Sequence, residues 1–120
     1  MSHLHLAIRT NKPEQMISFY RDIFKFDVIE EFAAGDGSFR LFFLSDNKYP
    51  KLELIVNAQP FEEPETGRMS HYGFFVEDAE GILKASAMAK LSILDEKQVN
   101  GFRQFYITDP DGNYVEVNQV

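Results

Sequence analysis

Four side chains in this 120-residue sequence have the chemistry to hold a divalent cation: His5, Glu53, His71 and Glu116. Each Glu stands between aliphatic neighbours, in Leu52-Glu53-Leu54 and in Val115-Glu116-Val117. Successive side chains of a strand point to opposite faces, so if the aliphatic neighbours face a core each carboxylate faces away from it. His5 alternates in the same way with Leu4, Leu6 and Ile8. The His-to-Glu step is nearly the same in both pairs, from 5 to 53 and from 71 to 116. Two carboxylates and two imidazoles gathered on one face would be costly without partners. One divalent ion removes that cost, because two neutral imidazoles and two carboxylates balance its charge. A mixed nitrogen and oxygen donor set suits zinc, nickel, iron, manganese or cobalt, and the residues alone do not choose among them. Taken singly, a strand His or Glu is ordinarily a solvated surface residue, which is the reading for His3. Repetition of the pair makes these four informative.

The elements that must carry them also repeat. Residues 3–10 alternate as a strand, with His3, His5, Ala7 and Arg9 on one face. Asn11 is placed to cap a helix through residue 24, with Pro13 and Glu14 in its first turn. Strands are expected at 26–33, 39–44 and 52–56, with a turn at Ala34-Gly35-Asp36-Gly37. Residues 58–68, rich in proline and carboxylates, read as a linker between a module 1–57 and a module 69–120. The second module then restarts the order: a strand at 69–77, a helix at 79–89 capped by Asp78, and strands at 91–97, 102–108 and 114–118. Asp109-Pro110-Asp111-Gly112 makes the last turn. Strand, helix and three strands, twice over, is an internal repeat of about 66 residues and an α+β class with mostly antiparallel pairing.

Composition narrows the function classes. A formal net charge of −7 opposes binding to nucleic-acid backbones and to anionic membranes. No cysteine is present, which excludes disulfides, a thiolate nucleophile and thiolate-held metals. The twelve Phe and five Tyr are a heavy aromatic load, enough to line a pocket as well as fill a core. No signal peptide or bilayer-spanning run is read from the sequence, so the cytoplasm is the expected location and a small molecule the expected partner.

Around these residues the chain resembles the vicinal oxygen chelate superfamily, whose members include glyoxalases, bleomycin resistance proteins and dioxygenases. Leu4-His5-Leu6-Ala7-Ile8-Arg9 is similar to its first ligand strand, and Phe19-Tyr20-Arg21-Asp22-Ile23-Phe24 to the segment that closes its first helix. Ser70-His71-Tyr72-Gly73-Phe74-Phe75-Val76-Glu77-Asp78 resembles its second His strand. The run from Phe105 through Thr108-Asp109-Pro110-Asp111-Gly112 to Glu116-Val117 resembles its C-terminal signature. The resemblance implies two βαβββ modules forming an open, cup-shaped mixed sheet around one metal.

Among these relatives, bacterial glyoxalase I (lactoylglutathione lyase) is the most similar in pattern. That likeness implies His5, Glu53, His71 and Glu116 as metal ligands, with nickel or zinc foremost. It also implies Glu116 as the base, with Glu53 sharing proton transfer, and Arg9 and Asn57 as substrate contacts. The implied reaction turns the hemithioacetal of a 2-oxoaldehyde into a 2-hydroxyacyl thioester, with glutathione as cosubstrate. The alternatives are an extradiol dioxygenase using His5, His71 and Glu116, a thiol transferase acting on an antibiotic, an epimerase, and a non-catalytic binding protein of the same fold. A symmetric homodimer is expected, so the four ligands come from one chain or from two.

Overall fold

The computed structural model describes residues 5–60, 71–99 and 101–120. His3, Met69, Ser70 and most of the 58–68 segment lie outside them. The chain divides into two compact units, Met1–Glu63 and Pro64–Val120.

The first unit contains β1 (Leu6–Arg9), α1 (Pro13–Phe24), β2 (Asp27–Ala33), β3 (Phe39–Ser45) and β4 (Leu52–Asn57). Its sheet order is β1-β4-β3-β2, with β1 and β4 parallel and the other pairs antiparallel. The second unit repeats this design with β5 (Tyr72–Val76), α2 (Ala79–Met88), β6 (Leu94–Val99), β7 (Phe102–Thr108) and β8 (Tyr114–Gln119). Its sheet order is β5-β8-β7-β6, again with only the first pair parallel. The α+β class and the doubled βαβββ order therefore stand.

Alternation decides which faces are buried. In the first unit Phe42, Leu44, Leu52 and Leu54 are buried, together with Met16, Phe19, Tyr20, Ile23 and Phe24 along one stripe of α1. In the second, Phe105, Ile107, Val115 and Val117 are fully buried, with Ala79, Ile82 and Ser86 on α2. The residues between them on the central strands, Glu53 and Glu116 included, take the other face.

The element ends depart from expectation for local reasons. Lys12, not Asn11, is the N-cap of α1, and it makes no side-chain cap bond. Instead the Thr10 hydroxyl accepts from the Lys12 amide at 2.9 Å, which tightens the turn before the helix. Asp78 caps α2 as expected, accepting from the Gly81 amide at 2.9 Å. Phe26 does not open β2, because its amide donates to the Tyr20 carbonyl at 3.1 Å to close α1 behind Lys25, a left-handed residue with φ 61°. Likewise β6 begins at Leu94 and not Leu91, since the Leu91 amide is spent on the Ser86 carbonyl at the end of α2.

Candidate metal centre

Each unit brings one imidazole to one carboxylate. In the first, parallel pairing sets Ala7 opposite Glu53, and His5 reaches diagonally past Ala7 to place Nε2 2.9 Å from Glu53 Oε1. In the second, Gly73 is opposite Glu116, and His71 reaches diagonally past Gly73 to bring Nε2 within 3.0 Å of Glu116 Oε2. A small residue at 7 and at 73 leaves the diagonal open. The fit is closer in the second unit, where a Cβ on Gly73 would lie 2.8 Å from Glu116 Cβ and 2.9 Å from its carbonyl oxygen. Both pairs expose the ring more than the acid: the His side chains are 44% and 40% accessible, the Glu side chains 17% and 18%. As isolated ion pairs at such exposure they add little to stability.

The aromatic neighbours repeat too. Phe43 lies across the ladder from Glu53, and its ring meets the His5 ring edge-on at 6.2 Å. Tyr106 occupies the matching position across from Glu116 and meets His71 edge-on at 5.3 Å. Unlike Phe43, Tyr106 carries a hydroxyl, which donates to Glu116 Oε2 at 2.6 Å. Asn118, buried two residues beyond Glu116, donates to Glu116 Oε1 at 2.9 Å, and Gln104 Nε2 donates to Asn118 Oδ1 at 2.9 Å. These contacts move two titrations. Burial raises the Glu116 carboxyl, but the bonds from Tyr106 and Asn118 and the charges of His71 and Lys97 outweigh it, so its pKa falls below the ordinary 4.5. The Tyr106 phenol is pushed up to about 12, chiefly by its bond to the Glu116 carboxylate.

Tyr106, Asn118 and Gly73 were not singled out from the sequence as site residues. The signal for Tyr106 was present, because the turn at Asp109–Gly112 sets Thr108 opposite Tyr114 and hence Tyr106 opposite Glu116. That turn is held by Asp109, which accepts from the amides of Asp111 and Asn113, from Asn113 Nδ2 and from the Tyr72 hydroxyl. Arg9 is exposed on the face of His5, opposite Ile55, and Asn57 is half-buried at the end of β4 opposite Phe39. Among the described residues no three His, Asp or Glu side chains form one group fit to hold a metal ion; the donors come in twos.

The sequence profile of the Glyoxalase/Bleomycin resistance protein/Dioxygenase superfamily matches residues 3–117. The chain belongs to that superfamily. It is 24% identical over 119 residues to the uncharacterized protein YwbC of Bacillus subtilis (strain 168), covering 96% of this chain and 94% of that one. Among solved structures it is similar to the trypanothione-dependent glyoxalase I of Leishmania major, with a TM-score of 0.78, 24% identity, and 99% and 86% of the two chains covered. It is also similar to glyoxalase I of Zea mays, with a TM-score of 0.81 and 19% identity, where 98% of this chain spans 44% of the maize chain. At such identities the likeness to these structures establishes the fold.

The superfamily is one in which a divalent metal is common, and the donors here suit one. The His–Glu separations of 2.9 and 3.0 Å are hydrogen-bond distances, so each unit presents one nitrogen and one carboxylate oxygen side by side.

Proposed function

We propose that the protein is a metal-dependent lyase of the glyoxalase I kind, acting on the hemithioacetal of a 2-oxoaldehyde. The observation that supports it is the doubled His–Glu pair, in which each His stands one residue before the first strand of its unit and each Glu lies within the last. His5, Glu53, His71 and Glu116 would hold one divalent ion, of which nickel and zinc are the first to try. Joining the two pairs, within one chain or across a homodimer, completes the set. Bound there, the ion supplies Lewis-acid polarisation of the substrate oxygens.

The remaining chemistry belongs to the chain. Glu116 takes the proton from the hemithioacetal carbon and, with Glu53 sharing the transfer, it returns to the neighbouring carbon while the hydroxyl proton passes from the first oxygen to the second, which yields the 2-hydroxyacyl thioester. A carboxylate is a weak base toward carbon, so proton transfer alone supplies roughly 100- to 10,000-fold of the rate and needs electrostatic help. Arg9, exposed on the face of His5, suits a carboxylate of the thiol portion through its paired N–H donors, and Asn57 adds amide hydrogen bonds. Glutathione is the thiol to test first.

The test is metal analysis of the purified protein, then an isomerase assay with methylglyoxal and glutathione after loading with nickel, zinc, manganese or iron. Stoichiometric metal and turnover are expected, and the Glu53→Gln, Glu116→Gln double variant should abolish turnover. Full turnover by that double variant, or a protein that takes up none of these metals, would overturn the reading.

A further inference from the structure

The two units lay different rows of side chains across the sheet face that carries their carboxylates. In the first, register sets Arg9, Ile55, Leu41 and Phe32 in line across β1, β4, β3 and β2. In the second, the equivalent line across β5, β8, β7 and β6 is Phe75, Asn118, Gln104 and Lys97. Its middle members are amides, and Gln104 donates to Asn118 at 2.9 Å. The middle of the first line is aliphatic, so the fold itself does not demand an apolar floor there. Neighbouring strands lie about 4.8 Å apart, so each line spans about 14 Å. At the β2 end of the first line Phe32 is 52% exposed, and its ring meets that of Phe39 at 6.0 Å. At the other end Arg9 is exposed, and among the described residues no carboxylate pairs with it. Among the described strand residues of this unit it is the only Lys or Arg on this face, since Arg40 alternates onto the face of Phe42.

We infer that this face of the first unit binds an amphipathic carboxylate, with the anion on Arg9 and the apolar body laid across Ile55 and Leu41 to Phe32 and Phe39. The paired N–H donors of a guanidinium match a carboxylate. Ile55 and Leu41 offer no side-chain donor or acceptor, so a polar body would lose water there without replacement. Glu53 and Glu30 stand in the next line, on either side of Phe43. They repel an anion displaced along the strands, which leaves Arg9 as its place. The inference goes beyond the lyase reading: it shares Arg9 with that reading, needs no metal, and stands or falls on binding alone.

The experiment titrates the full chain with decanoate by calorimetry, below the concentration at which the acid forms micelles. The protein is used as purified and again after chelation, with the same result expected. Decanoate, whose extended length is close to that of the line, should saturate one site. Lengthening the acid from hexanoate to decanoate should tighten binding about twofold per methylene, half the logarithmic gain of full burial. Arg9→Gln should weaken decanoate about tenfold and leave decanol unchanged. Phe32→Ala changes an exposed residue, so folding, followed by circular dichroism, is expected to persist. It should weaken decanoate severalfold and leave hexanoate, too short to reach β2, unchanged. The inference is overturned if affinity does not rise with chain length, if Arg9→Gln binds decanoate as the wild type does, or if chelation abolishes binding. Tighter binding of decyltrimethylammonium than of decanoate by the wild type overturns it as well. Decanoate binding without turnover of methylglyoxal and glutathione upholds the inference against the lyase reading; turnover without decanoate binding does the reverse.

Discussion

One methyl group at Gly73 should disturb the second half-site more than any other change of its size. The Cβ of alanine there would lie 2.8 Å from Glu116 Cβ and 2.9 Å from the Glu116 carbonyl oxygen. The second contact is with the backbone of β8, so a side-chain rotation does not relieve it. Gly73 is exposed, but the methyl would press on strand backbone, and the about 1–3 kcal/mol of an overpacked core sets the scale of the cost. Alanine recovers roughly 0.5 kcal/mol of this by restricting the unfolded chain. The net loss is about 0.5–2.5 kcal/mol, a fall in Tm of about 2–10 °C at about 4 °C per kcal/mol for a chain of this length. The strain bears on Glu116, so on the metal-site proposal metal affinity should fall with the melting temperature. Ala7→Gly is the control, since Ala7 sits opposite Glu53 and already carries a methyl group. It should lose only the modest stability that glycine costs in a strand, about 0.5–1 kcal/mol, with Glu53 undisturbed. Differential scanning calorimetry with and without metal reads both effects. A Gly73→Ala protein that melts at or above the wild type, with unchanged metal affinity, would refute the close-approach argument.

Other outcomes follow from the same structure. Lys25→Gly should stabilise the protein by up to about 1 kcal/mol in urea unfolding, because Lys25 closes α1 in a left-handed conformation that glycine adopts without strain. Asp78→Ala removes the carboxylate that accepts from the Gly81 amide and should cost about 0.5–2 kcal/mol, read in the same assay. In an alkaline difference titration of wild type against Tyr106→Phe, the missing phenol should titrate near 12 rather than 10. Because its folded pKa is raised, its contribution to stability is present below pH 10 and lost as pH rises toward 12. Glu116 has the opposite sign. Its folded pKa is depressed, so its contribution is present above about pH 4.5 and lost as pH falls below that value. Tyr106→Phe should move this acid loss to higher pH in the metal-free protein.

The pattern of alternating side chains carried most of the fold and the two His–Glu pairs, for a physical reason. A strand has a period of two, so aliphatic neighbours at 52 and 54 or at 115 and 117 dictate where the Glu between them points. Helical spacing located α1, since Met16, Tyr20, Ile23 and Phe24 form a stripe only at that period, whereas α2 was legible from its Asp78 cap and its alanines. Alternation says nothing about which strand is the neighbour or in what register. The diagonal reach of His71 past Gly73 and the donation from Tyr106 both depend on register, and neither was read from the sequence. The cap of α1 was misplaced because two residues competed for one job. Asn11 has the better capping side chain, but Thr10 already binds the Lys12 amide and the helix starts one residue later. Leu91 suits a strand by type, yet its amide closes α2.

Duplication also explains why the pairs were easier to find than the residues that tell them apart. A repeated feature can be recognised by comparing one half of the chain with the other, and His5 with Glu53 and His71 with Glu116 pass that comparison. Tyr106 and Asn118 fail it, because Phe43 and Ile55 occupy the matching positions. Two inward carboxylates of identical surroundings would titrate and bind alike. The donors placed on Glu116 alone lower its pKa, and no such donors face Glu53 at the equivalent positions. Two copies of one pattern can differ in their chemistry only through such substitutions. The functional content of this fold therefore lies as much in where its halves disagree as in where they match.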